Sequence, residues 1–259
     1  QTRVTFLEVS PYNAQDMGTP EAYSDAVVSI FTRLNTAGRT LTREEITFAW
    51  VKSNWDTSKT EGKGAAECFQ SLADTLKEKY GVKTDIDDLV SAVSLIWAVH
   101  FNDGRTLSNA DLLKGETIRP MAQHLAEHWS KVTESVLSVC TVVQEHGLKF
   151  GDHYQSLNSL ALLWAWRYIG IDWQSRNKTL EPDKDAWSKV AADAMGGFVD
   201  RWFIVSQWAG IWGESATASL SSIVSTLTTA SKAVKAAKTM KDAGAAWQSA
   251  LSDIVNSFS

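Results

Sequence analysis

The chain has 259 residues, enough for one large or two small domains with a substantial core, and its 44% hydrophobic and 21% charged residues belong to a globular rather than a disordered protein. A net charge of −5 argues against a broad basic face for phosphate backbones, while leaving room for a local basic channel. No run reaches the roughly 20 apolar residues that span a bilayer, so a cytoplasmic protein without membrane contact is expected.

In chain order, Val4-Thr5-Phe6-Leu7-Glu8-Val9 reads as a strand, and no partner strand follows it. It is expected to belong to a sheet whose other strands lie outside this chain. After the Thr19-Pro20 helix start, Ala26, Val27, Ile30, Phe31 and Leu34 form one apolar helical face up to Asn35. Thr42 with Glu45 fits the Thr-x-x-Glu capping box and opens a second helix through Ile46, Ala49 and Trp50. That helix ends before the polar loop Asp56 to Lys63, the best candidate for a domain boundary.

A third helix spans about Gly64 to Tyr80 and stops at Gly81, and a fourth starts near Asp85 and carries Leu89, Val93, Ile96 and Trp97. The pattern predicts one long fifth helix from Ile118-Arg119-Pro120 to Gly147. Gln155 to Ile169 is apolar on nearly all sides, the mark of a central buried helix. Helices over Pro182 to Phe203 and Ser215 to Leu227 follow. The tail from Thr228, with weaker anchors in Val234, Met240, Trp247, Leu251 and Ile254, is expected to form one or two peripheral helices. The fold class is therefore mainly α, a multi-helix bundle with a short N-terminal strand.

The 12 tryptophans fall mostly inside apolar runs, as in L-L-W-A-W, and are assigned to a helical core. Cys68 and Cys140 sit among apolar neighbours and read as buried free thiols. His124-Leu-Ala-Glu127-His128 matches the H-x-x-E-H pattern of one class of zinc peptidase, in which helical residues four apart bind one metal. No third ligand is recognisable elsewhere, so a solvated helix face is expected and no metal is assigned. Lys232, Lys235, Lys238 and Lys241 step by three, which on a helix of about 100° per residue spreads them over half its circumference as a solvated face. No G-x-S-x-G, phosphate loop, C-x-x-C or G-x-G-x-x-G occurs, and no catalytic residue is assigned. The carboxylate pairs Glu44-Glu45 and Asp87-Asp88 sit at helix starts, where the macrodipole accounts for them.

By elimination the informative stretch is Phe31 to Ile46, F-T-R-L-N-T-A-G-R-T-L-T-R-E-E-I. A bare turn before a capped helix needs none of Arg33, Asn35 and Arg39, although Arg33 and Asn35 could equally tie that turn together. The run resembles a signature of the restriction-associated family known as domain of unknown function 262, found in GmrSD-type and SspE-type anti-phage proteins. The match to I-F-x-R-[LI]-N-[ST]-x-G-x-x-L-[ST]-x-x-E-[IL] falls on Ile30, Phe31, Arg33, Leu34, Asn35, Thr36, Gly38, Leu41, Thr42, Glu45 and Ile46. Looser similarity follows at Tyr154-Gln155-Ser156-Leu157 and from Arg201-Trp202-Phe203 through Gly210-Ile211-Trp212-Gly213.

The resemblance implies a ParB/sulfiredoxin-like α+β nucleotide-using domain with a D-G-Q-Q-R motif, then a helical region, and often an HNH-type nuclease. Neither motif is in these residues, and beyond Gly151 the one histidine is His153. The chain is thus expected to be the central part of such a protein: residues 1–54 the end of the nucleotide domain, which supplies the N-terminal strand, and residues 55–259 the helical domain. On that basis Arg33, Asn35, Gly38, Arg39 and Thr42 form one nucleotide-binding wall. Arg33 offers bidentate phosphate contacts, Gly38 a close backbone approach and the Thr42 helix start an anion site. The implied cofactor is an NTP with Mg in the intact protein and none in this chain alone. The implied partners are DNA through the intact protein, the N-terminal and C-terminal portions of the same protein, and a second copy. A non-catalytic nucleotide-binding or DNA-binding regulatory module is the main alternative, and a zinc metallopeptidase a remote one.

Overall fold

A computed structural model describes residues 42–107, 117–152, 157–177, 198–199, 201–203 and 216–256. These residues are mainly helical, and no β-strand element occurs among them. The strand expected at Val4–Val9, the helix before Asn35 and most of the helix expected over Pro182–Phe203 lie outside the described residues.

The first described helix, α1, is Arg43–Ser53 and begins as its sequence requires. The Thr42 hydroxyl accepts from the Glu45 amide at 3.1 Å, and the Thr42 amide donates to Glu45 Oε2 at 2.7 Å. This reciprocal box satisfies two of the four amides a helix start leaves without partners. The polar loop after α1 is organised by a buried side chain: Trp55 Nε1 donates to Thr60 Oγ1 at 3.1 Å, and that hydroxyl donates to the Lys63 carbonyl at 2.6 Å.

Helix α2, Ala65–Tyr80, ends at Gly81, whose φ of +69° glycine adopts without strain. The Val82 amide then reaches back to the Leu76 carbonyl at 3.0 Å, the Schellman closure, and Val82 is buried beneath it. Helix α3, Ile86–Phe101, is capped by the Asp85 carboxylate accepting from the Asp88 amide.

The single long helix expected from Ile118 to Gly147 is instead two, α4 at Ile118–Glu127 and α5 at Trp129–Glu145, parted at His128 with φ −111° and ψ 20°. Neither proline nor glycine lies near the break. Tertiary packing requires it: Trp129 turns into a cluster with Phe69, at 4.8 Å between centroids, and Trp55, at 5.4 Å. Such packing overrides local propensity, which differs by less than about 1 kcal/mol per residue.

Helix α6, Leu157–Arg176, is buried continuously from Ser159 to Trp173. It packs against α3 on one side and α5 on another. The tail also departs from expectation, for α7 runs unbroken over Ala216–Ala236 and α8 over Met240–Asn256. Thr228 and Thr229 lie inside the helix, their hydroxyls bonding back one turn to Val224 at 2.7 Å and Ser225 at 3.0 Å, where Leu227, Thr228 and Ala230 are buried. Nor is α8 peripheral, because Trp247 is fully buried, with Leu251 and Ile254 nearly so.

Trp247 lies flat on Trp166 of α6, with centroids 4.1 Å apart and planes 6° from parallel. Each indole N–H donates to the other residue's carbonyl, at 3.0 Å and 2.8 Å. This pairing removes two large rings from water and leaves neither N–H without a partner. Gly170 makes room for it, since a Cβ there would lie 3.0 Å from Trp247 Cζ2.

Gly170→Ala should therefore destabilise the protein. The gain of about 1 kcal/mol from helix propensity is outweighed by overpacking of about 1–3 kcal/mol against a ring that cannot yield. Chemical denaturation of the variant checks the sign, and a raised midpoint would contradict this account.

Candidate functional site

Four of the residues assigned to the nucleotide wall, Arg33, Asn35, Gly38 and Arg39, lie outside the described residues, and Thr42 lies within them. The hydroxyl and amide of Thr42 are both engaged in the α1 cap. Beside it, the Arg43 guanidinium donates to the Leu107 carbonyl. A cavity of about 370 Å³ opens there, lined by Arg43, Thr47, Ser91, Ser94, Asn158 and Ser221 among others. It is rich in hydroxyls and one guanidinium, and its volume is that of small-molecule sites.

A second concentration of chemistry lies where the C-terminal ends of α3, α6 and α7 meet the start of α5. Asp172, 5% exposed on the buried helix α6, accepts from three groups. His100 Nε2 lies 2.9 Å from Oδ2, Lys131 Nζ 2.9 Å from Oδ1, and Arg176 one helical turn away 2.8 Å from Oδ2. Burial pushes this carboxyl up, but the hydrogen bonds from His100 and Lys131 and the Arg176 charge outweigh it and hold it below the usual carboxylate range. A carboxylate only accepts, so His100 carries its proton on Nε2, and Nδ1 accepts from Ser231 Oγ at 2.7 Å. Hydroxyl, imidazole and carboxylate thus line up in the order of a nucleophilic triad. Ser231 is 1% exposed and His100 3%, however, so no acyl carbonyl can reach the oxygen. The chain of bonds joins α3, α6 and α7, and its work is structural.

Next to it, the break at His128 gathers His124, Glu127 and His128, with one ligand atom from each lying within 4.8 Å of the others. Phe101, the one exposed large apolar side chain among the described residues, stacks over His128 with planes 5° from parallel. Lys235 Nζ sits 5.0 Å above the Phe101 ring and donates to the His100 carbonyl. His124 Nε2 is buried and makes no hydrogen bond. Burial lowers His124 to about 3, and its neighbour His128 adds to the effect. His128 is lowered by burial and then by the Lys131 charge, while His100 is lowered by burial despite its bond to Asp172. All three imidazoles are neutral at pH 7.

The sequence expectation of a solvated face for this motif does not hold, because only Glu127 is exposed and both histidines are partly covered. The lysine series is solvated as expected, with all four side chains exposed. Lys232 pairs at the surface with Asp103 at 3.1 Å, Lys235 is drawn over Phe101, and Lys238 falls between α7 and α8. Sequence reasoning missed His100, Lys131, Asp172 and Ser231. The one local signal was a lone aspartate inside the apolar run Y-I-G-I-D-W. Comparison with known proteins adds no relative: no family model, curated protein or solved structure matches the chain.

Removing one member of a buried charge group strands the others, at a cost of about 3–5 kcal/mol. Asp172→Asn should lose that much in denaturant unfolding, whereas Ser231→Ala, which deletes one neutral hydrogen bond, should lose about 1 kcal/mol. Equal losses would deny Asp172 its central place. Acid acts on the same region. Unfolding returns the imidazoles to about 6.5, so the unfolded chain takes up protons that the folded chain refuses, and stability falls as pH drops from about 7 towards 4. Asp172, whose folded value is depressed, adds its loss only below about pH 4. Urea midpoints across this range should decline, less steeply for His124→Gln; a flat profile would show that these rings titrate normally.

Proposed function

We propose that this chain is part of an NTP-dependent restriction nuclease of phage defence that acts on modified or foreign DNA. It serves there as a helical scaffold and as one wall of the nucleotide site. The observation that carries the proposal is the signature from Ile30 to Ile46, whose last turn opens beside a polar cavity of about 370 Å³. Arg33 and Asn35 would hold phosphate oxygens, Gly38 and Arg39 would shape the approach, and the start of α1 after Thr42 would favour an anion. Arg43 brings a second guanidinium to the same end of the helix. The glutamine and arginine of the D-G-Q-Q-R motif and the HNH nuclease would come from other portions of the same protein, and DNA would be met by the assembled protein. A cytoplasmic setting belongs to this proposal. No helix among the described residues is long and apolar enough to cross a membrane.

Titration of the chain with Mg-ATP, Mg-GTP and Mg-CTP should give saturable binding to at least one nucleotide without turnover. Arg33→Ala should weaken it about 10-fold to 100-fold, the worth of a charge-assisted phosphate contact, with helicity unchanged. Binding that ignores Arg33 would reject the wall. Hydrolysis by the chain alone at the rate of a longer form would reject the division of labour and favour a self-sufficient enzyme. Nucleotide or DNA affinity without turnover in any longer form would favour the regulatory module.

A further inference from the structure

The geometry points to a site for one divalent transition-metal ion of the zinc class, held by His124, Glu127 and His128 at the joint between α4 and α5. The three residues stand at i, i+3 and i+4, positions that share one helix face. Their ligand atoms already lie within 4.8 Å of one another. Donors about 2.0–2.2 Å from a tetrahedral ion sit about 3.3–3.5 Å apart. The required closure is therefore at most about 1.5 Å, within reach of small side-chain rotations. Glu127 is exposed and free to make most of that movement.

The chemistry of the donors selects the ion. Two imidazoles and one carboxylate suit zinc, cobalt, nickel or copper, whereas magnesium and calcium call for oxygen throughout. His124 Nε2 is buried without a hydrogen bond, a state in which polar atoms are seldom left. Lys131 and Lys235 oppose a cation here, but Lys131 is bound to Asp172 at 2.9 Å and that carboxylate faces the same cluster. Three protein donors leave one coordination position for water. The site is independent of the nucleotide wall, and neither stands or falls with the other.

The test is metal uptake by the whole chain after chelator treatment and dialysis, read by calorimetry with Zn(II) and by the visible absorption of Co(II). One equivalent should bind, with the intense bands of low-coordinate Co(II), and excess Mg(II) should not compete. His124→Ala, His128→Ala and Glu127→Gln should each weaken uptake, the histidine changes by about 100-fold or more. Glu127→Gln is an exposed, near-isosteric change and keeps the test open if a histidine variant fails to fold. Absence of uptake, uptake unchanged in Glu127→Gln and in the folded histidine variant, or equal competition by Mg(II) would each overturn the assignment.

Discussion

A carboxylate inside a buried helix has to be matched, and Asp172 imposes that condition on the bundle. Its partners come from α3, α5 and the last turn of α6, with Ser231 of α7 behind His100. An uncompensated buried charge costs several kcal/mol, far more than the capping and propensity effects of about 1 kcal/mol that define single helices. Helices free to slide or rotate on apolar contacts are thereby held in one relative setting. Burial favours the neutral state of His100 against the pull of that carboxylate.

The aromatic packing obeys a similar logic of committed groups. Trp166 and Trp247 bury their indoles by donating to each other's carbonyls, and Gly170 supplies the space that a methyl group would fill. Trp129 turns towards Trp55 and Phe69, and this turn parts α4 from α5. The histidine pair at the joint is thus set by the packing of a tryptophan one residue away.

Much of the fold was legible in the residues. Thr42 with Glu45, Asp85 and Gly81 mark helix ends by short-range chemistry, and the structure places them there. The all-apolar run to Ile169 correctly marks the central helix, because a helix without a polar face has nowhere to go but inside. The errors share one cause. His128 as a break and Trp247 as core depend on partners far along the chain, which no local pattern encodes. The candidate site divides in the same way. The proposed wall of Arg33, Asn35, Gly38, Arg39 and Thr42 is read from a contiguous motif, while the Asp172 network joins residues up to 131 positions apart, as from His100 to Ser231.

The sequence by itself determined that the chain is mainly helical, where several helices begin and end, that the tryptophans of its L-L-W-A-W run belong to a core, and that the H-x-x-E-H residues share a face. These follow from interactions across three or four residues, which are the same in any context. Only the tertiary structure decided that the lone aspartate would be matched by His100, Lys131 and Arg176, that the long helix would break at His128, and that the exposed Lys235 would lie over Phe101. Those outcomes rest on burial and on charges brought together from distant segments, and desolvation exists only once the chain has closed around them.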